Sequence, residues 1–319
     1  MKSHSASPTS LLRKTCLIAL LGTSTAGAQA PTATPAPAPA APAAVPALPA
    51  VPFEARVVRE TQLYRKKKLD QEDVLLTTPG HVFTVSELAP ERKSQGETAP
   101  VAVVHPYAQS TYYMLLSALQ PLSPGEVVTD AEAAELLFPK SLGAERPWCQ
   151  RFTERLLLPA SAGAGKGGAL VYSASSDTAC AGYMALVSGA GKEAKTSSLP
   201  RLGALQSVHV REVQGSPPLL DVVESISSKG ISGRRRRLLS LARSGAKELL
   251  AVDLEVFQPK GDTQHSVQSE VALKPSGQGL DIDVERIEQQ VSLTTGAVAS
   301  EKKSQKRYRY TAGKLTTRP

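Results

Sequence analysis

The sequence predicts a mainly β fold with a few helices, in which a mixed α+β part precedes an antiparallel β-meander. Short apolar runs separated by turn signals fill the first part of the globular region. Beyond residues 189–200, apolar residues recur at every second position, a period typical of strands with one buried face. We therefore expect the C-terminal meander to form a sandwich, a partial barrel or a propeller-like sheet.

The first 30 residues follow the pattern of a secretory signal peptide. Basic residues precede a short apolar core at residues 16–22, and small residues with an A-x-A pattern follow. The apolar core is shorter than the roughly 20 residues that span a bilayer. Pro31 disfavours cleavage after Ala30, so we expect cleavage after Ala28. This predicts a signal peptide over 1–28 and an exported protein, periplasmic or extracellular, with no transmembrane segment after signal removal.

Residues 29–52 form a linker rich in proline and alanine. Residues 31–52 contain eight prolines and no charged residue, a composition that favours extended polyproline II. The linker either holds the folded part away from an envelope layer or is a simple tail, and both interpretations stay open. The globular remainder is predicted to divide into a mixed α+β domain over 53–198 and an antiparallel β domain over 199–319.

The positive charge of the chain is concentrated in two segments. The formal net charge is +8, and removal of the three basic residues of the signal region leaves 8 − 3 = +5. Residues 229–247 contain seven basic and no acidic residues, and residues 301–319 contain seven basic and one acidic. These segments supply the candidate polyanion-binding residues, which are Arg234, Arg235, Arg236, Arg237, Lys302, Lys303, Lys306, Arg307 and Arg309.

Composition narrows the class of partner. Aromatic residues make up only 4% of the chain, and none lies between residues 229 and 247. Nucleic-acid-binding domains usually combine a basic face with aromatic residues or a recognisable motif, so a nucleic-acid partner is not expected. The predicted partners are an anionic envelope polymer or another envelope protein.

The four consecutive arginines, residues 234–237, lie in a predicted strand. Side chains alternate along a strand, so Arg235 and Arg237 leave one face while Arg234 and Arg236 leave the other. Two interpretations follow. The arginines either form a solvated strand end that discourages edge-to-edge pairing, or they join the C-terminal basic segment in one patch that binds a polyanion.

Two cysteines remain after signal removal, and they predict one disulfide. Cys149 and Cys180 would close a loop in an oxidising compartment. Two separate buried thiols are the alternative.

Several elements have specific signals. Thr129 with Glu132 forms a capping box that predicts a helix over the following residues. Residues 168–189 predict a hairpin, and residues 100–119 predict a strand that runs into a helix. In 279–293 the apolar row Leu280, Ile282 and Val284 shifts to Ile287, Val291 and Leu293, which predicts a bulge near residues 285–286.

No motif in the sequence indicates a catalytic, cofactor-binding or metal site. Residues 160–168 resemble a phosphate-binding loop but lack its first glycine and its Ser or Thr after Lys166. The predicted function is that of a secreted or periplasmic non-catalytic envelope protein, a binding or structural module on a spacer, which contacts anionic envelope polymers. The alternative is a secreted, hydrolase-type enzyme whose site is assembled from distant residues such as Tyr112, Asp130, His105 and Asp177.

Overall fold

The computed structural model describes residues 48–69, 74–94, 96–107, 110–159, 168–189, 194–228, 230–242 and 245–319. The mainly β prediction is confirmed, because antiparallel strands dominate these ranges and only two short α-helices interrupt them. The predicted signal peptide (1–28) and residues 29–47 of the predicted linker lie outside the described residues. Within the described ranges, no helix has the length and apolar character needed to cross a membrane.

The first sheet contains the strands of residues 53–198. In chain order they are β1 (Phe53–Val57), β2 (Thr61–Tyr64), β3 (Val74–Thr77), β4 (His81–Ser94), β5 (Glu97–Tyr107), β6 (Ser110–Leu115), β7 (Leu119–Pro121), β8 (Thr153–Leu157), β9 (Ala169–Ser173), β10 (Met184–Ser188) and β11 (Lys195–Ser198). Their order across the sheet is β11-β10-β9-β8-β4-β5-β6-β2-β3, and β1 pairs with both β4 and β7. Two helices, α1 (Asp130–Leu137) and α2 (Arg146–Gln150), and the 3-10 segments Leu116–Ala118 and Lys140–Glu145 lie between β6 and β8.

The second sheet is the predicted antiparallel meander. Its strands are β12 (Ala204–Arg211), β13 (Leu219–Ser228), β14 (Ile231–Ala242), β15 (Gly245–Lys260), β16 (Thr263–Ser276), β17 (Gly279–Ser292), β18 (Val298–Thr311) and β19 (Lys314–Arg318). Each strand pairs with the next one in the chain, and β12 and β19 are the two ends. The sheet is therefore an open meander in a sandwich-like arrangement and not a closed barrel.

Of the four predicted local elements, two are confirmed, and two, the helix within residues 100–119 and the bulge near residues 285–286, are wrong. Thr129 caps α1, since its hydroxyl accepts from the Glu132 N–H at 3.3 Å while the Glu132 carboxylate accepts from the Thr129 N–H at 2.9 Å. Strands β9 and β10 form the predicted hairpin. The helix expected in the second part of residues 100–119 is replaced by the β5–β6 hairpin, in which Tyr112 and Met114, two residues apart, are both buried.

The predicted disulfide is present. The Cys149 sulfur, on α2, bonds to the Cys180 sulfur in the loop between β9 and β10, and the two Cα atoms are 5.0 Å apart. Both cysteines are buried in a core that also contains Phe138 and Val171. The disulfide therefore ties the helical segment to the first sheet.

One of the hydrophobic clusters among the described residues joins the two sheets. Leu156, Leu170 and Tyr172 of the first sheet pack in the same cluster as Val208, Leu220 and Leu239 of the second. The chain passes from one sheet to the other between residues 198 and 204. The division into domains at residues 198 and 199 stays a prediction.

The segment that connects the sheets is held against the disulfide loop. The Arg201 guanidinium donates to the Ala181 carbonyl at 3.0 Å and lies over the Tyr183 ring, 4.4 Å from its centre. The Leu202 N–H donates to the Gly182 carbonyl at 3.0 Å. These contacts fix the direction in which the chain enters β12.

The bulge expected near residues 285–286 is absent from β17. Its pairing with β18 runs without interruption from Leu280 opposite Tyr310 to Gln290 opposite Ser300. Ile287 therefore leaves the face opposite to that of Ile282. The two apolar rows exist because the two halves of the strand meet different surroundings: Leu280, Ile282 and Val284 belong to a core with Leu219 and Tyr310, whereas Ile287 lines a cavity on the other face.

Candidate functional site

The four arginines lie on β14, which is an inner strand of the second sheet. It pairs along its length with β13 on one side and with β15 on the other. The interpretation that this run protects an exposed edge is therefore wrong. The hairpins that the chain forms on both sides of β14 leave it no free edge at these residues.

Each of the four arginines is paired with a carboxylate from a neighbouring strand. Arg234 lies 3.0 Å from Glu255, and Arg235 lies 2.6 Å from Asp253. Arg236 and Arg237 have partners on β13, at 2.6 Å for Asp221 and 2.5 Å for Glu224, and Arg237 also contacts Glu248 of β15. The charge of the run is thus largely compensated within the sheet.

Asp221 is a buried carboxylate that pairs with two arginines, Arg236 and Arg211. It receives the Arg236 guanidinium through Nε and Nη2, and Arg211 donates through Nε to the Oδ2 atom at 2.8 Å. Burial alone would raise the pKa of Asp221. The hydrogen bonds and charges of Arg236 and Arg211 outweigh that effect and hold the pKa below its ordinary value.

Glu224 occupies a similar position on β13. Only 1% of its side chain is exposed, and it accepts from Arg237 and from the Gly203 N–H at 2.5 Å. Burial alone would lower the pKa of Arg237. The hydrogen bonds and charges of Glu224 and Glu248 outweigh that effect and raise the pKa of Arg237. Arg236 and Arg237 therefore serve the packing of β13 on β14.

The C-terminal basic residues have a different environment. Among the described strands, residues 298–306 of β18 pair only with β17, because β19 covers residues 307–311 alone. Lys302 and Lys306 are exposed there, and no described carboxylate lies within 4.0 Å of either ammonium group. Lys303 is 3.0 Å from Glu301, and longer contacts join Arg307 to Asp283 at 4.0 Å and Arg309 to Asp281 at 3.9 Å.

The two predicted basic segments each contribute one residue to the lining of the same cavity. Arg234 and Lys303 both line a space of about 710 Å³ on the second sheet, with Ile287 and Leu254 as apolar lining. Its charged lining residues are three cations and three carboxylates, namely Arg234, Arg286, Lys303, Glu255, Glu270 and Glu285. The charged lining of the cavity is therefore formally neutral, and the exposed Lys302 and Lys306 lie on the same strand as Lys303.

The four residues considered for an enzymatic site have different main contacts, although Asp130 and His105 lie close enough to interact electrostatically. Tyr112 is buried in the core of the first sheet, and Asp177 accepts from the Ala179 N–H in the disulfide loop. Asp130 pairs with the buried Arg155 at 2.6 Å. Burial raises the pKa of Asp130 although Arg155 opposes the shift. His105 hydrogen-bonds Ser86 at 2.7 Å and also acts on the Asp130 carboxyl, in the direction that lowers the pKa of Asp130.

Sequence reasoning missed a second polar cluster, which lies between the sheets. His81, Glu154 and Tyr172 come from β4, β8 and β9, and they are hydrogen-bonded to one another beside His209 of β12. These residues are far apart in the chain and follow no ligand spacing. Only the pairing of β8 with β4 and β9, which sequence patterns do not specify, brings them together.

The fold and these surfaces define a class of protein, an open antiparallel meander packed on another antiparallel sheet, with exposed lysines on a segment of β18 that is paired on one side. Compared with known proteins, the chain matches no family model, no curated protein and no solved structure.

Proposed function

We propose that the protein is an exported, non-catalytic binding module that contacts anionic envelope polymers through β18. The observation that carries this proposal is the contrast between the two basic segments. The arginines of β14 have carboxylate partners. Lys302 and Lys306 of β18 are exposed, and no described carboxylate lies within 4.0 Å of either ammonium group.

The surroundings of β18 suit a chain-like ligand. Lys302 and Lys303 leave opposite faces of the strand, so cations flank both sides of its free edge. The neutral cavity beside Lys303 offers amide and hydroxyl groups, including Gln268 and Gln305, to uncharged parts of the same polymer. Several exposed contacts of this kind give binding that is multivalent and weakened by salt.

Export is the second part of the proposal and rests on the sequence pattern of the first 30 residues. The mature protein is expected to begin at Gln29. N-terminal sequencing of the protein from a membrane-free extracytoplasmic fraction tests this. Recovery of the chain with its first residues intact in the cytoplasm would contradict the export.

The binding is tested with lipopolysaccharide micelles at low and high salt. We expect the mature protein to bind at low salt, and the variant Lys302→Ser/Lys306→Ser to bind about tenfold more weakly. The control Lys247→Ser/Lys260→Ser removes the same charge from exposed positions of β15 and should bind as the wild type does. Equal losses in the two variants would mean that net charge alone matters, and that result would overturn the assignment to β18.

A further inference from the structure

The polar cluster between the sheets lines a cavity of about 240 Å³. Its walls come from β2, β3, β4, β8 and β9 of the first sheet and from β12 of the second. Leu75 and Leu76 of β3 also line it and are 40% and 67% exposed. The cavity therefore reaches the protein surface beside β3.

The backbone hydrogen bond to His81 determines which groups donate in a hydrogen-bonded series from His81 through Tyr172 to the Glu154 carboxylate. The Thr78 N–H donates to Nδ1 of His81 at 3.3 Å, so the proton of the neutral ring lies on Nε2. Nε2 then donates to the Tyr172 hydroxyl at 2.9 Å, and this hydroxyl donates to Oε2 of Glu154. His81 and Tyr172 thus fix the position of the Glu154 carboxylate.

Glu154 keeps one oxygen for a ligand. Tyr172 occupies Oε2, and no donor among the described residues hydrogen-bonds Oε1. The Glu154 side chain is 16% exposed and lines the cavity. A carboxylate oxygen in such a shielded position accepts most strongly from a charged donor.

The other lining residues leave this negative charge uncompensated. Burial lowers the pKa of His81 although Glu154 opposes the shift, and burial lowers the pKa of His209 although Asp221 opposes it. Both imidazoles are therefore neutral at neutral pH. Glu154 is then the one formally charged residue among the described residues that line the cavity.

We propose that this cavity binds a small organic cation, a primary ammonium group that carries a short apolar substituent. The ammonium would donate to Oε1 of Glu154, and the substituent would pack on Leu63, Phe83 and Val208. A volume of about 240 Å³ holds on the order of eight water-sized groups, which limits the ligand to a small amine. The site is separate from β18, so it does not depend on the proposed polymer binding.

Benzylamine is the probe, and benzyl alcohol is its uncharged match. We expect benzylamine to shift the NMR signals of the His81 and His209 rings with a dissociation constant of about 1 mM or tighter. Benzyl alcohol should bind at least about tenfold more weakly, because it lacks the charge that Glu154 selects. Equal affinities for the two compounds, or no shift at about 20 mM benzylamine, would overturn the proposal.

Two variants and one control locate the site. Glu154→Gln keeps an acceptor for Tyr172 but removes the charge, so benzylamine binding should weaken about tenfold. Ser207→Phe places a large ring at the cavity wall, leaves His81, Tyr172 and Glu154 unsubstituted and should abolish binding, which keeps the test valid if Glu154→Gln folds poorly. Glu91→Gln changes an exposed carboxylate further along β4 and should leave binding unchanged. Wild-type binding by Glu154→Gln or by Ser207→Phe would contradict the proposed site.

Discussion

Arg236 holds Asp221 from the adjacent strand by two parallel hydrogen bonds, of 2.7 Å from Nε and 2.6 Å from Nη2. The Asp221 side chain is only 2% exposed, so this pair is shielded from water. Arg236 also donates to the Val271 carbonyl of β16 at 3.0 Å, which connects both halves of the second sheet. The run of arginines is therefore part of what holds the meander together.

The first prediction compares a buried and an exposed arginine of that run. Arg236→Gln leaves the buried Asp221 with Arg211 alone, and we expect a loss of about 3 kcal/mol in the free energy of unfolding. Arg234→Gln removes an exposed pair and should cost less than about 1 kcal/mol. Urea denaturation measures both variants. Equal costs would show that burial does not distinguish the two ion pairs.

The second prediction concerns Gly233, which immediately precedes the four arginines. Its φ is +154°, and a Cβ atom there would lie 1.9 Å from the Glu255 carbonyl oxygen of β15. Gly233→Ala must push β14 away from β15, so we expect a loss of about 2–4 kcal/mol. The control is Gly215→Ala, which also has a positive φ but open space around the site, and it should cost about 1 kcal/mol. Thermal or urea unfolding of the pair checks this, and a Gly233→Ala variant as stable as its control would refute the close approach.

The third prediction concerns the disulfide between Cys149 and Cys180. The sequence separation is 31, and opening a loop of this size should lower the free energy of unfolding by about 3–4 kcal/mol in the chain-entropy account. Cys149→Ser/Cys180→Ser is the variant to compare with the wild type. Labelling of the denatured, non-reduced mature chain should detect no free thiol, and two reactive thiols would contradict the bond.

The fourth prediction is a dependence of stability on pH through His81. In the folded protein, burial lowers the pKa of His81 below its ordinary value of 6.5. Just below that value the unfolded chain binds a proton that the folded chain does not, so the slope of stability against pH is positive there. The contribution of His81 is complete above pH 6.5 and is lost as the pH falls below it. His81→Gln should show a shallower decline in stability as the pH falls below 6.5, whereas an unchanged slope would show that His81 does not titrate there.

Local sequence signals predicted those elements of this fold whose causes are local, but they did not predict the hairpin of β5 and β6. The capping box at Thr129 and Glu132 and the period of two in β15 and β17 each act within a few residues. The face of Ile287 could not be predicted in this way. An apolar residue at an odd position indicates burial somewhere, and only the continuous register with β18 shows that it lies on the cavity side.

The candidate sites depended on pairing between distant strands, and sequence reasoning identified them only in part. The basic character of residues 302–309 follows from composition, and the exposure of Lys302 and Lys306 follows from a strand segment that is paired on one side. The neutralisation of Arg237 required Glu224 and Glu248 from two other strands. The contact of His81 with Tyr172 joins residues 91 positions apart, a distance over which no sequence period acts.

The central claim is that β18 and not β14 provides the charge for binding. The salt dependence of binding to a soluble polyanion tests this claim most directly. Dextran sulfate is titrated into the wild type, Lys302→Ser/Lys306→Ser and Arg235→Gln over a range of salt concentrations. We predict that loss of the two lysines weakens binding at low salt and lowers the slope of log affinity against log salt by about one to two. Arg235→Gln, whose arginine is paired with Asp253, should keep the wild-type slope. An unchanged slope for the lysine variant, or a fall of similar size for Arg235→Gln, would contradict the account.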